Sequence, residues 1–138
     1  GTFFHDVLSK IYTDFSTGYK YLDSQTFNTS FDSSFILKCK DLLQKIENNK
    51  SLSFIYQSNQ LIYNEREFLS SDGEIYRLDR LLIQNNKAII IDYKTSKGDN
   101  DINQLTNYLT NINLCEFDNV SAFLFYVSNN ELLEVTLK

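Results

Sequence analysis

The segment Ala88-Ile89-Ile90-Ile91-Asp92-Tyr93-Lys94 is the strongest structural signal in this chain. A short apolar run that ends abruptly in charged residues is typical of a buried β-strand with a polar site at its end. Because side chains alternate across a strand, Asp92 and Lys94 share one face, and Ile91 and Tyr93 point to the other. A carboxylate and an ammonium at this position are costly unless they pair with each other or bind a ligand. The segment alone leaves both a structural ion pair and a binding site open.

A second strand with a carboxylate in its interior precedes this segment. Asp79, thirteen residues before Asp92, lies in Tyr76-Arg77-Leu78-Asp79-Arg80-Leu81-Leu82-Ile83. A short Asn85-Asn86 turn joins the two strands, so they are expected to pair antiparallel and to bring Asp79 close to Asp92. Two carboxylates a few ångströms apart repel each other, which raises one pKa or requires a cation between them. Mg²⁺ prefers such oxygen ligands, so the pair predicts a metal site.

Phosphodiester hydrolysis is the chemistry that this arrangement predicts. A metal ion at the carboxylate pair would polarise a phosphate oxygen and lower the pKa of a bound water. Lys94, on the same face as Asp92, would orient that water or offset the charge that develops on the phosphate. Asp79, Asp92 and Lys94 are therefore the predicted catalytic residues. Arg77 and Arg80 are expected on opposite sides of their strand, so at most one contacts phosphate and the other lies at the surface.

Helical spacing of apolar residues predicts three helices around these strands. The first covers residues 3–15, the second follows a polar loop at 16–34 and ends at Asn48 and Asn49, and the third follows a loop at 95–100. Their apolar stripes are Phe4, Val7, Leu8, Ile11 and Phe15 in the first, Phe35, Cys39, Leu42, Leu43 and Ile46 in the second, and Ile102, Leu105, Leu109 and Ile112 in the third.

Five strands are predicted from alternating and continuous apolar runs. They lie near 60–69, 74–83, 88–94, 120–127 and 132–137, with a polar turn from Ser70 to Gly73. The predicted order is α, α, β, β, β, α, β, β. The third helix is long enough for a right-handed crossover, so the strand at 120–127 should lie parallel to the one that ends at Lys94. The predicted fold class is α/β, with a mixed sheet flanked by helices.

Composition limits the possible functions. The chain has 138 residues, of which 42% are apolar, and this predicts one domain over 1–138 that folds without disulfides. The longest apolar run, Ala88 to Ile91, is too short to cross a bilayer, so no membrane partner is expected. No methionine and no signal peptide occur, so the sequence is expected to be a fragment of a longer chain. Its two cysteines, Cys39 and Cys115, fit a reduced cytoplasmic protein. The net charge of −5 opposes binding to nucleic acid by charge alone.

A family resemblance emerges when these residues are read in order. The motifs are His5 in Gly1-Thr2-Phe3-Phe4-His5, Glu65 in Asn64-Glu65-Arg66-Glu67-Phe68-Leu69, Asp79, Asp92-Tyr93-Lys94-Thr95, and Gln104 with Tyr108. Together they resemble the PD-(D/E)XK nuclease superfamily, and most closely the RecB/AddA-type nuclease domain at the C-terminus of bacterial helicase-nucleases. The resemblance covers nearly the whole chain and implies a restriction-endonuclease-like fold. Leu78 stands where relatives often have proline.

The resemblance also implies roles for individual residues. His5, Asp79 and Asp92 would bind Mg²⁺ or Mn²⁺ together with the Tyr93 backbone carbonyl, and Lys94 would be the catalytic lysine. Gln104 and Tyr108, four residues apart and so on one helical face, would approach the DNA backbone or support the site. Glu65 is either a carboxylate of the site or of a second metal, or a solvated strand residue. His5 is alternatively a histidine packed on Tyr12, and Tyr108 alternatively a core tyrosine.

The function implied is that of a magnesium-dependent deoxyribonuclease, similar to exonuclease V. It would be the nuclease module of a RecBCD/AddAB-type helicase-nuclease in double-strand-break repair, with DNA, the helicase region of the same polypeptide and an AddB-like subunit as partners. Some relatives carry a four-cysteine iron-sulfur cluster, which Cys39 and Cys115 cannot build. Two alternatives remain open: a stand-alone RecB-like or defence exonuclease, and a non-catalytic DNA-binding or scaffolding module of the same fold.

Overall fold

The computed structural model describes residues 2–28, 30–70, 72–111 and 116–136. The chain divides into two compact units, Gly1–Ser58 and Asn59–Lys138. The first unit is built from helices, and the second contains a five-stranded mixed sheet. The predicted α/β class is confirmed. That residues 1–138 form one domain stays a prediction. None of the helices in the described ranges has both the length and the apolar character needed to cross a membrane.

Three α-helices form the first unit, where two were predicted. They are α1 (Thr2–Ser9), α2 (Ser16–Ser24) and α3 (Ser33–Glu47), with short 3-10 helices at Gln25–Phe27 and Lys50–Tyr56. The buried apolar residues of this unit are Phe4, Val7, Leu8, Ile11, Leu22, Ile36, Cys39, Leu43, Ile46, Leu52 and Ile55. Gly18 in α2 permits a close approach, because a Cβ there would lie 2.6 Å from Ile11 Cδ1 and 3.1 Å from Leu43 Cδ2.

The predicted helix over 3–15 and the predicted loop over 16–34 are both wrong in part. The first helix ends at Ser9, and a new helix begins at Ser16. Polar side chains between them satisfy backbone groups that a continuous helix would use: Thr17 donates to the carbonyls of Lys10 and Asp14, and the Asp14 carboxylate accepts the Ser16 N–H. Such local hydrogen bonds compete with continuation of the helix. The spacing of apolar residues does not reveal them, so it predicted one continuous helix.

The second predicted helix is confirmed as α3, but its buried stripe is shifted at the start. Ile36, rather than Phe35, is buried with Cys39, Leu43 and Ile46. Phe35 remains 39% exposed and packs its ring against Phe3 and Phe31 at centroid distances of 5.5 and 5.4 Å. The Asp32 carboxylate caps the helix by accepting the Phe35 N–H at 2.8 Å.

The sheet of the second unit has the order β1-β2-β3-β4-β5. Its strands are β1 (Leu61–Leu69), β2 (Ile75–Gln84), β3 (Lys87–Lys94), β4 (Asn119–Tyr126) and β5 (Glu131–Val135). The first three form the predicted antiparallel meander, with Asn85 in the left-handed region at φ 56° in the β2–β3 turn. As predicted, β4 runs parallel to β3 after a helical crossover, and β5 then pairs antiparallel with β4.

The crossover helix α4 (Asp101–Thr110) joins the sheet through an apolar cluster. The buried members of the cluster are Leu78, Leu81, Ala88, Ile90, Leu105, Leu109, Ala122, Leu124, Tyr126 and Val135. Ile102, predicted in the buried stripe, is 49% exposed instead. Asp101 takes the buried position, because its Oδ2 atom accepts hydrogen bonds from the Gly98 N–H at 2.7 Å and the Tyr126 hydroxyl at 2.9 Å. Ile112 and Cys115 lie outside the described residues.

Candidate active site

Asp79 and Asp92 meet where the β2–β3 ladder ends. The last pair of that ladder is Arg80 with Ile91, so Asp79 and Asp92 are the next residues on the two strands. The Asp79 Oδ2 atom accepts a hydrogen bond from the Tyr93 backbone N–H at 2.9 Å. This bond fixes the Asp79 carboxylate against β3, and the predicted juxtaposition of the two carboxylates is confirmed.

The electrostatics of Asp92 reflect this neighbour. Burial, the charge of Asp79 and a hydrogen bond between the two carboxyl groups together raise the pKa of Asp92 from 3.8 to about 7, against the opposing effect of Lys94. Burial and a nearby like charge both disfavour the ionised form of a carboxyl group. The two carboxyl groups therefore repel each other when both are ionised, and a cation between them would reduce this repulsion.

Lys94 lies beside Asp92 on the same face of β3, as predicted. Its Nζ atom is 3.4 Å from the Asp92 Oδ2 atom, and the two side chains are 31% and 26% exposed. An isolated ion pair would leave the pKa of Asp92 below its usual value, whereas that pKa is raised. The ammonium group therefore offsets only part of the effect that burial and Asp79 have on the pKa of Asp92.

A cleft of about 180 Å³ opens beside these residues. It is smaller than the roughly 300–1,000 Å³ of pockets that bind whole small molecules. The residues that line it come from β2, β3 and α4, and they are Arg77, Asp92, Lys94, Gln104, Leu105 and Tyr108. Gln104 and Tyr108 thus line the same cleft as Asp92 and Lys94, and their role toward DNA stays a prediction.

Tyr108 belongs both to the core and to the cleft. Its ring packs edge-on against Tyr76 at a centroid distance of 4.7 Å, and its hydroxyl donates a hydrogen bond to the Arg77 carbonyl. Burial and the charges of Asp79 and Asp92 together raise the pKa of Tyr108 to about 12. The two readings of Tyr108 from sequence are therefore compatible, since the ring supports the sheet while the hydroxyl lies in the field of the carboxylates.

The two arginines of β2 behave differently from the prediction. Arg77 lines the cleft and is exposed, whereas Arg80 is fully buried and donates to the Asn64 Oδ1 atom at 3.0 Å. The expectation that the second arginine lies at the surface is thus wrong, because an amide partner on β1 allows the guanidinium to be buried. The neighbours of Arg77 on β2, Tyr76 and Leu78, pack on the side of α4.

Glu65 occupies the same row of the sheet as the two aspartates. Asn64 pairs with Arg80 and Arg66 pairs with Leu78, so the backbone position of Glu65 lies opposite that of Asp79 in the register of β1 and β2. Its backbone lies in the left-handed region at φ 54°, which is uncommon for a residue other than glycine. The side chain is half-buried. The role of Glu65 in the site stays a prediction.

His5 and the Tyr93 carbonyl complete the predicted ligand set. His5 is half-buried in α1 of the first unit, and Tyr93 is buried with its ring edge-on to Phe125 at a centroid distance of 6.3 Å. Across 2–28, 30–70, 72–111 and 116–136, no group of three or more His, Cys, Asp and Glu side chains is placed to hold a metal ion. The ligand roles of His5 and of the Tyr93 carbonyl stay predictions.

Asp79 and Asp92 are the residues of the sheet unit that could hold a divalent cation. Asp79 and Asp92 supply carboxylate oxygens, and a carboxylate with its pKa raised by a like charge gains most from a nearby cation. Mg²⁺ is bound by one or two carboxylates and otherwise keeps its waters or takes substrate phosphates. A closed zinc site would instead require four protein ligands. The two aspartates therefore fit Mg²⁺ or the similar Mn²⁺ better than a structural transition metal.

Comparison with known proteins leaves the family open. The chain matches no protein-family model and no curated protein. It is similar to the crystal structure of a protein named SSO0001, with 22% sequence identity and a TM-score of 0.35. The similarity covers 96% of this chain, which spans about 66% of the length of SSO0001. At this TM-score the likeness supports no conclusion about fold or function.

Proposed function

We propose that this chain is a Mg²⁺- or Mn²⁺-dependent deoxyribonuclease with a restriction-endonuclease-like fold. The observation that carries the proposal is the carboxylate pair Asp79–Asp92, with Lys94 beside it, at the edge of a small polar cleft. Paired carboxylates next to a lysine are the groups required to bind a divalent ion at a phosphodiester. The sequence motifs described above support the same function through their resemblance to PD-(D/E)XK nucleases.

The carboxylates would hold the metal ion. Asp79 is oriented for this by the Tyr93 N–H, and Asp92 by its ion pair with Lys94. His5 and the Tyr93 carbonyl are the further ligands implied by the family resemblance. A Mg²⁺ ion held there would polarise a phosphate oxygen and lower the pKa of a bound water.

Lys94 supplies the positive charge of the protein itself. Its ammonium group lies 3.4 Å from Asp92 and lines the cleft, so it is placed to offset the charge that develops on a phosphate bound there. It is also a hydrogen-bond donor that orients the attacking water. Lys94 therefore acts on the reaction step, whereas the carboxylates act through the metal.

The charge distribution explains why a metal is needed. The first unit carries six basic and six acidic residues, whereas Asn59–Lys138 carries seven basic and twelve acidic residues. The whole net charge of −5 therefore lies in the sheet unit, which contains the proposed site. A divalent ion provides the local positive potential that DNA requires in such a setting.

The cellular role follows from the family resemblance. The chain would serve as the nuclease module of a RecBCD/AddAB-type helicase-nuclease in the cytoplasm, next to a helicase region of the same polypeptide and an AddB-like subunit. Its substrate would be DNA fed by the motor during repair of double-strand breaks. The acidic sheet unit is consistent with this role, because a motor that holds the DNA removes the need for a basic surface on the nuclease.

The nuclease assay that tests this function uses end-labelled linear DNA, single-stranded and duplex, with Mg²⁺, Mn²⁺ or EDTA. Wild type should cleave only with metal, and Lys94→Ala should lower the rate at least about 100-fold, the usual effect of removing one group that stabilises transition-state charge. Lys87→Gln, with the same change of charge at the opposite end of β3, should cleave like wild type. Cleavage that persists in EDTA or in Lys94→Ala would refute the proposed mechanism.

A further inference from the structure

Asp101 is a buried carboxylate that takes no part in the proposed metal and lysine chemistry. It lies in the first turn of α4 and is 8% exposed. Its Oδ2 atom accepts two hydrogen bonds, one from the Gly98 N–H at 2.7 Å and one from the Tyr126 hydroxyl at 2.9 Å. A carboxylate is costly to bury unless donors compensate it in this way. Asp101 therefore connects three elements, which are the loop after β3, α4 and β4.

The loop before α4 is folded closely onto this carboxylate. A Cβ atom at Gly98 would lie 3.0 Å from the Asp101 Oδ1 atom, so the backbone approaches the carboxylate more closely than a larger residue would permit. The Asp101 N–H also donates to the Gly98 carbonyl at 3.4 Å. These two residues thus bond to each other in both directions, and the path from β3 to α4 is defined.

Tyr126 extends the connection to the end of β3 that bears Lys94. Tyr126 and Lys94 are partners in the parallel ladder of β3 and β4, and the Val127 N–H donates to the Lys94 carbonyl at 2.8 Å. Burial, the hydrogen bond to Asp101 and nearby carboxylates together raise the pKa of Tyr126 to about 12. The Tyr126 hydroxyl therefore remains a donor to Asp101 at neutral pH.

Asp101 belongs to the face of α4 that lines the cleft. Asp101, Gln104, Leu105 and Tyr108 recur at helical spacing, so they share one face of the helix, and the last three line the cleft with Lys94. Gln104 follows Asp101 by one turn, about 4.5 Å along the helix axis. The contacts of Asp101 thus fix this face of α4 relative to the strand end that bears Lys94.

The geometry of a reacting site is sensitive to small displacements. A change far from the chemistry that misplaces a group by about 1 Å can lower a rate about 100-fold. Loss of the Asp101 carboxylate would release α4 from both the loop and β4, and so would change the distance between α4 and Lys94. A residue that only stabilised the fold would have no such effect on the rate of the folded protein.

We infer that Asp101 is a positioning residue of the proposed active site, and that its bonds to Gly98 and Tyr126 set the distance between the cleft-lining face of α4 and Lys94. The inference rests on the proposed nuclease function and extends it to a residue outside the metal and lysine set. Asp79 and Asp92 lie on β2 and β3 rather than on α4, so metal binding does not depend on Asp101.

The test compares kcat and KM for Mg²⁺-dependent cleavage of a 5′-labelled DNA oligonucleotide, well below the unfolding temperature of each variant. Asp101→Ala should lower kcat about 100-fold and change KM little. Tyr126→Phe should lower kcat about 10-fold, because the bond from Gly98 remains. Asp101→Asn should retain most of the wild-type kcat, since an amide oxygen can accept the same two hydrogen bonds.

Three controls distinguish positioning from loss of stability. Val135→Ala removes a buried side chain of the same apolar cluster on β5, so it should lower stability and keep the wild-type kcat. Asp101→Ala combined with Tyr126→Phe should be no slower than Asp101→Ala alone, because both changes break the same bond. Calorimetric titration should show that Asp101→Ala binds Mn²⁺ like wild type.

The outcomes separate the two proposals. If wild type cleaves and folded Asp101→Ala keeps the wild-type kcat, the assignment of Asp101 is overturned and the nuclease function stands. An equal loss of kcat in Val135→Ala, or loss of Mn²⁺ binding in Asp101→Ala, would overturn the assignment as well. If Asp101→Ala does not fold, a wild-type kcat in Tyr126→Phe overturns it. If wild type does not cleave DNA with Mg²⁺ or Mn²⁺, both proposals fall.

Discussion

The ionised side chain of Asp92 destabilises the folded protein. Its carboxyl group is partly buried beside Asp79, and its pKa is raised to about 7. Lys94 offsets the charge of one carboxylate only, at 3.4 Å. Polar groups that destabilise a fold in this way are typical of functional sites, where the missing compensation comes from a ligand. A divalent cation is the ligand that two carboxylates would bind.

A pH-dependent stability is expected from the same pKa. The pKa of Asp92 is raised from 3.8 in the unfolded chain to about 7 in the folded one, so between these values the folded state keeps a proton that the unfolded state has lost. The stabilising contribution is therefore complete below about pH 4 and is lost as the pH rises through 7. In EDTA at pH 8, Asp92→Asn should raise the free energy of unfolding by roughly 1 kcal/mol, because it removes the repulsion.

Urea unfolding of wild type and Asp92→Asn at pH 5 and pH 8 measures this difference. Asp99→Asn, an exposed aspartate in the loop after β3, is the matched control and should change little. If Asp92→Asn is no more stable than wild type at pH 8, the two carboxylates do not repel each other. Addition of Mg²⁺ at pH 8 should stabilise wild type but not Asp92→Asn, because the ion binds the folded pair.

At the scale of elements, the strand–helix–strand unit β3–α4–β4 forms the site. The buried strand β3 presents Asp92 and Lys94, and α4 presents Gln104 and Tyr108 to the same cleft. Asp101 fastens the start of α4, since it accepts hydrogen bonds from the loop before the helix and from Tyr126 on β4. The Tyr108 hydroxyl fastens the helix to β2 through the Arg77 carbonyl. The cleft therefore depends on how α4 is seated.

Removal of the hydrogen bond from the Tyr108 hydroxyl to the Arg77 carbonyl tests whether this bond holds α4 against β2. Tyr108→Phe keeps the ring against Tyr76 and removes only the hydroxyl, so the free energy of unfolding should fall by about 1 kcal/mol. The rate of DNA cleavage should fall in the same variant, because α4 contributes one wall of the cleft. Tyr63→Phe on β1 is the control, and its stability should stay near that of wild type. Equal stability of Tyr108→Phe and wild type would show that the hydroxyl does not hold the helix.

The sequence predicted this part of the fold well, for a physical reason. The pairing of Asp79 with Asp92 requires only strand alternation and a short turn, both of which are local properties. The parallel alignment of β3 and β4 follows from the length and handedness of the crossover.

Other features depend on contacts that the apolar pattern does not contain. The break between α1 and α2 arises from hydrogen bonds of Asp14 and Thr17 with the backbone. The burial of Arg80 depends on its amide partner Asn64, and the burial of Asp101 depends on Tyr126, which is 25 residues away. Such polar residues can be buried because partners distant in sequence form hydrogen bonds with them. A prediction from apolar spacing cannot detect these partners, so it places the polar residues at the surface.

For the whole molecule, the distribution of charge is the main constraint on function. The first unit is neutral, and the sheet unit carries the net charge of −5. Nucleic acid and this chain therefore repel each other at long range, and binding to DNA must come from a few local contacts. The contacts available in the cleft are the proposed metal ion at the carboxylates and Lys94.

We therefore expect this chain to bind DNA only with a divalent metal ion, and with an affinity that depends weakly on salt concentration. Lys94→Ala, which should bind DNA without cleaving it, is expected to bind a fluorescently labelled oligonucleotide in Mg²⁺ and not in EDTA. The logarithmic salt slope should be small, about −1 to −2, since so few phosphate contacts are made. Fluorescence anisotropy between about 50 and 200 mM salt measures both quantities. Equally tight binding in EDTA, or a steep slope, would indicate a basic DNA-binding surface elsewhere on the chain.

Calorimetric titration of Mn²⁺ tests the central claim most directly, because it requires neither DNA nor a motor. We expect wild type to bind Mn²⁺ at pH 8 and more weakly at pH 6, as Asp92 becomes protonated. Asp79→Asn and Asp92→Asn should lose this binding, while Asp99→Asn should retain it. Absence of Mn²⁺ binding to wild type, or undiminished binding to Asp92→Asn, would contradict the claim that the two aspartates form a metal site.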